Sequence, residues 1–172
     1  FSTYFQNNLG FPREKLGFLY LVGGVVSFLM MRVAGRLIDR YSSFLMGTLA
    51  TFSLIMVTFF GYYLFPPSLP AVLIFTFFML SMSVRGVSMT SLSSRVPAPG
   101  ERARFMSFQS AVQHFASAVG AFFSTRMLTE DSKGALVGMP RLALVSMALA
   151  VGIPFLMRNL ELRVRRREKL AA

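Results

Sequence analysis

The chain has 172 residues, 54% of them apolar, with 19 Phe, 12 Met and neither Cys nor Trp. That is too apolar for an ordinary soluble domain, and a chain without Cys has no disulfides and no cysteine metal sites. The formal charge is +11, yet the basic residues stand at the ends of apolar segments and form no single face or base-stacking platform, so the chain reads as a membrane protein with no nucleic-acid partner.

About 20 mostly apolar residues in a helix cross a hydrocarbon core of about 30 Å, and several windows approach that length. From the N-terminus, 1–9 has the character of the last turns of a helix. The chain opens on Phe1 and not on Met, and we expect it to be a piece of a longer protein. The first complete span is expected over 16–35. A second covers 43–65 and is stopped by Pro66 and Pro67; a third covers 69–94, before Pro97 and Pro99. The fourth, 103–125, carries no Asp, Glu, Lys or Arg after Arg104, and the fifth, 140–157, includes Pro154, which membrane helices tolerate. A basic segment, 158–172, is expected as a tail that meets anionic membrane lipids. The fold class expected is all-α, a polytopic transmembrane bundle of about five complete spans and a truncated helix.

Alternate loops fall on opposite sides of a bilayer, so their charges can be compared. One side collects Arg32, Arg36, Arg40, Arg95, Arg102 and Arg104, together with the basic run after Arg158. The other holds Arg13, Lys15, Arg126, Lys133 and Arg141, partly offset by Glu14, Glu130 and Asp131. The positive-inside rule makes the first side cytoplasmic, with the C-terminus inside and the cell membrane as location.

The loop after the first span reads AGRLIDRYSS. There Gly35 is expected to let two helices approach, Asp39 to cap the next helix, and Arg36 and Arg40 to anchor at head groups. At this loop the sequence resembles the major facilitator superfamily of transporters, whose signature of Gly, three residues, Asp and a basic residue is matched by Gly35, Asp39 and Arg40. YFQNNLG (Tyr4 to Gly10), LGFLYLVGGVVS (Leu16 to Ser27) and SRVPAPGERARFMS (Ser94 to Ser107) are similar to helix ends and turns of that family. The loop departs from the family's strongest copy by continuing with Tyr41, Ser42 and Ser43. The Gly-Pro motif of efflux members is also missing from SAVQHFASAVGAFFS. Both departures fit the second half of such a transporter, helix 7 to helix 12, with the first half as the alternative. The resemblance implies secondary transport of a small solute by alternating access, as an exporter, with any proton coupling carried by the missing N-terminal half. A receptor or assembly subunit that keeps the fold without transporting is the alternative.

Between Tyr41 and Val84 no Asp, Glu, Lys, Arg or His occurs, and then comes Arg85. It lies ten residues before Arg95, about 15 Å along a helix. A charge at that depth normally faces protein or a wet cavity. His114, the only histidine, lies ten residues after Arg104 at the same depth on the next helix. Ser110, His114 and Ser117 form a polar stripe there, with Gln113 beside it, while Phe108, Phe115 and Phe122 mark another side. We expect Arg85 and His114 to share a substrate cavity, with Tyr20, Tyr4 and Asn8 as further contacts. Interhelical hydrogen bonding is the competing role for each. Asp39, Arg95, Glu101, Arg102 and Arg104 are expected to pair as a conformational gate at the cytoplasmic face. With one His and no acid inside a span, no catalytic or metal-binding set is visible and no cofactor is expected.

Overall fold

The computed structural model describes residues 2–64, 70–132 and 134–171. The break expected at Pro66 and Pro67 lies outside the described residues, as do Phe65, Leu69 and Lys133. The elements run α1 (Leu16–Arg40), α2 (Ser43–Thr58), α3 (Ala71–Ser93), α4 (Arg102–Met127) and α5 (Met139–Ala171). A π-helical turn, Tyr4–Asn8, precedes α1, and a second, Phe59–Leu64, prolongs α2. Between α4 and α5 lies a small antiparallel ribbon, β1 (Thr129–Glu130) with β2 (Leu136–Val137), in which Thr129 faces Val137.

Arg13–Arg40, Ser43–Leu64, Ala71–Ser93 and Met139–Leu170 are long and apolar enough to cross a membrane. In hydrocarbon each backbone N–H and C=O has to find its partner inside the segment, which a helix provides. Side chains such as Phe18, Leu21 and Phe28 on α1 and Leu149, Phe155 and Leu156 on α5 are more than half exposed, as lipid-facing surfaces are. The fold is an all-α, polytopic transmembrane bundle.

α3 lies at its centre, packed on α1 and on α2, while α5 closes against α2 and its π-helical extension. Buried clusters follow the bundle along its length. Tyr4, Tyr62, Ile74 and Ala143 pack together near the N-terminal end of α3, beside Phe5, Leu19 and Phe75. Ala34, Ala50 and Val84 fill the middle, and Leu92, Met157 and Val164 the far end.

Where lipid is as apolar as the side chains, helices associate through close packing and hydrogen bonds, so small residues mark the contacts. A Cβ added to Gly47 on α2 would collide with the Met157 side chain and stand 3.2 Å from Ser88 Cβ. At Gly23 on α1 it would stand 2.7 Å from the Phe75 ring. Ser81 donates to the Phe77 carbonyl at 2.8 Å, which leaves Ser53 to donate to Ser81 across the α2–α3 contact at 2.8 Å. Ser88, fully buried, donates to the Val84 carbonyl. These serines belong to the helix contact and not to a polar surface beside Arg85.

Two expectations are corrected here. Nothing lies within 4 Å of a Cβ built on Gly35; the buried side of α1 at that level is Ala34 and Ile38, and the close approaches fall to Gly23 and Gly47. The basic segment 158–172 is no separate tail, because α5 continues through it to Ala171. Leu160 and Val164 carry an inward stripe past Arg158, and Val164 is buried against Leu92 and Met157. α4 covers the expected span 103–125, and its Ser, Gln and His residues keep its hydropathy below that of the four segments named above. It contains no buried residue.

Gly47→Leu is expected to destabilise the protein by about 1–3 kcal/mol through overpacking, seen as a lower melting temperature in detergent. Gly24→Ala points into open space and should leave melting unchanged or raise it, because Ala is the better helix former by up to about 1 kcal/mol.

Candidate functional site

Arg85 lies on α3 and lines a cavity of about 310 Å³ between α2, its π-helical extension, α3 and α5. The walls are mostly apolar, with Leu54 and Ile55 from α2, Phe78 and Met82 from α3, and Leu142 and Ala150 from α5. Thr58, Tyr62 and Ser146 add hydroxyls. The guanidinium donates to Met82 Sδ at 3.1 Å, a weak acceptor for a group with five N–H donors. None of the lining residues is acidic.

No α4 residue lines this cavity, so the described residues do not bring Arg85 and His114 into one chamber. The reason is the direction of each face. Arg85 turns toward α2 and α5, whereas α4 makes its main contacts with α5 and with the short 3-10 turn Pro99–Glu101 before it. Ser110, Gln113, His114 and Ser117 are all exposed. Phe108 and Phe115 on the other side of α4 are about 70% exposed as well.

The candidates near the N-terminus have structural partners. Tyr4 is buried, donates to the Gly61 carbonyl at 3.2 Å and packs on Tyr62 with ring centroids 5.1 Å apart. Asn8 is joined to Leu136 in both directions, accepting its N–H and donating to its carbonyl, each at 2.9 Å. Neither lines the Arg85 cavity. Both residues fasten the first turn to the rest of the bundle, because backbone groups in the π-helical extension and the ribbon lie within reach. Tyr20 is 46% exposed and sets its ring edge-on to Phe75 at 5.0 Å.

At the end where α1, α3 and α5 finish, a recess is lined by Asp39, Arg95, Glu161, Arg165 and Glu168. Ser42 caps α2, its hydroxyl accepting the Leu45 N–H at 3.0 Å. Glu161 of α5 accepts the Phe44 N–H at 2.7 Å and is held by Arg165 one turn on. Two free N–H donors in the first turn of α2 are thereby satisfied, and a carboxylate meets the positive end of its dipole. The cap expected from Asp39 is supplied by Ser42 and Glu161. Arg95 makes a two-pronged ion pair with Glu168, with contacts of 2.7 and 2.8 Å from Nη2, and Arg167 donates to the Val96 carbonyl at 3.0 Å. Arg40 lies over the Tyr41 ring at 5.7 Å. Among the described residues Arg102 and Arg104 form no ion pair; the acids that are paired at this end, Glu161 and Glu168, belong to α5. The expected gate set thus contributes Arg95 alone to the pairing. Glu161 and Glu168 were missed; the signal for them was the apolar stripe Met157, Leu160 and Val164 running on through the basic run.

A bundle of long, apolar, outwardly exposed helices with an arginine set among them is the architecture of a polytopic membrane protein. The family model of the Major Facilitator Superfamily matches residues 1–121, from the first turn through most of α4. The chain belongs to the Major Facilitator Superfamily, and it is a multi-pass membrane protein of that transporter type. No curated protein and no solved structure matches it.

Glu161→Ala leaves the part-buried Phe44 N–H without its partner and should cost about 1.5–3 kcal/mol, the worth of a hydrogen bond to a charged group. Glu168→Ala breaks a pair whose side chains are 43% and 52% exposed and should cost less than about 1 kcal/mol. Melting curves of the two variants in detergent check the order.

Proposed function

We propose that this chain forms the second half of a secondary transporter that moves a small solute by alternating access, in the export direction, across the cell membrane. The observation that carries the reading is α4. It is a 26-residue helix with no buried residue, and its polar positions Ser110, Gln113, His114 and Ser117 are all exposed. A face of that kind suits the contact with another half, where transporters of repeated architecture place their substrate path. Its lower hydropathy is what a helix lining a wet path would carry.

Supporting details come from charge. The C-terminal ends of α1, α3 and α5 gather the basic residues at one end of the bundle, as Arg95 with Glu168 and Arg167 with Val96 make plain. The positive-inside rule would turn that end to the cytoplasm. Every acidic residue of the chain stands at a helix end, in a connecting loop or in the extension of α5, so we assign any proton carrier to the other half. The pairing of the last turns of α5 with α2 and with the α3–α4 turn would hold one of the two alternating states.

Reconstituted full-length protein tests the proposal. His114→Ala should lower solute flux on the order of tenfold, a loss of about 1.4 kcal/mol in the transition state, with the melting temperature unchanged. Arg95→Gln, which breaks the pair with Glu168, should slow turnover while leaving substrate affinity near its original value. Binding of solute without movement across the vesicle membrane would instead indicate a receptor.

A further inference from the structure

Arg85 remains unexplained by the α4 face. An arginine in a membrane-spanning helix stays charged and is costly to insert, so such residues normally pair with an acid, a carbonyl or water. Here its hydrogen bond goes to a thioether, Met82 Sδ. The cavity beside it has Leu54 and Leu142 in its walls, Thr58 and Ser146 as neutral hydroxyls, and no acid. Its mouth lies near Ser146 and Met82, both exposed. At about 310 Å³ it stands at the lower end of small-molecule sites, which run about 300–1,000 Å³.

We propose that this cavity within the half-bundle, between α2, α3 and α5, binds an amphipathic monoanion whose head group pairs with Arg85 and whose apolar body fills the space toward Leu54 and Leu142. Charge complementarity sets the head. One guanidinium and no second basic residue line the site, and the planar fork of arginine fits the two oxygens of a carboxylate or a phosphate. Burial of the apolar body against the mostly apolar walls accounts for the rest of the affinity. The site is separate from the α4 face, and its occupancy does not depend on transport.

The same chemistry comes from a free alkyl carboxylate or from an anionic membrane phospholipid, and the experiment separates them. Full-length protein in phosphatidylcholine nanodiscs is titrated with radiolabelled decanoate and, in parallel, with decanol. Wild type should bind decanoate at least about tenfold more tightly than decanol. Arg85→Gln should erase that preference, Arg85→Lys should keep part of it, and Ser146→Phe, which fills the mouth, should weaken both ligands. Replacing part of the phosphatidylcholine with phosphatidylglycerol should weaken decanoate binding if a phospholipid is the occupant and leave it unchanged if the free anion is. Melting curves establish that each variant is folded; should Arg85→Gln not fold, Arg85→Lys and Ser146→Phe decide. Equal binding of decanoate and decanol by wild type, or a preference that survives in a folded Arg85→Gln or Ser146→Phe, overturns the proposal.

Discussion

The approach of α2 to two neighbours at once is the constraint on which this bundle rests. Gly47 meets Ser88 of α3 on one side and Met157 of α5 on the other, so no larger residue fits without moving a helix. That single point ties the central pair of helices to the last one. Above it Ala50 and Val84 continue the contact, and below it Leu92, Met157 and Val164 close the end. In an apolar solvent such packing replaces the hydrophobic effect as the source of association, and the serine hydroxyls at the α2–α3 contact add hydrogen bonds that lipid cannot offer.

The same packing explains the charged end. Because Met157 is drawn against Gly47, the next turns of α5 continue along α2 and the α3–α4 turn, and Glu161 arrives at the first turn of α2. Glu161 is 7% exposed, and its carboxylate meets an N–H where the helix dipole is positive, a placement that stabilises both. The exposed pair Arg95–Glu168 is weaker by its setting in water, but it orients the last turns. A run of basic residues that looks like a solvated tail is therefore one side of a packed helix.

Arg85 and α4 show the opposite relation between sequence and place. Each carries polar groups at depth, and each lacks a charged partner among the described residues. Arg85 lines an apolar cavity, whereas Ser110 to Ser117 of α4 lie exposed outside it. Two polar features at similar depth on consecutive helices thus serve two separate surfaces.

The membrane class, the helix number and the family were legible in the sequence, because hydropathy and the Gly35, Asp39 and Arg40 spacing are local properties that no neighbour alters. Facing was not legible. Which side of α1 is buried, whether Asp39 or Glu161 reaches α2, and whether Arg85 meets His114 all depend on how helices are rotated and placed against one another. Weak amphipathicity in lipid-facing helices leaves that rotation unspecified by pattern alone. Only the tertiary contacts decided it, through Gly23 and Gly47, where the absence of a side chain lets one helix come close enough to orient the next.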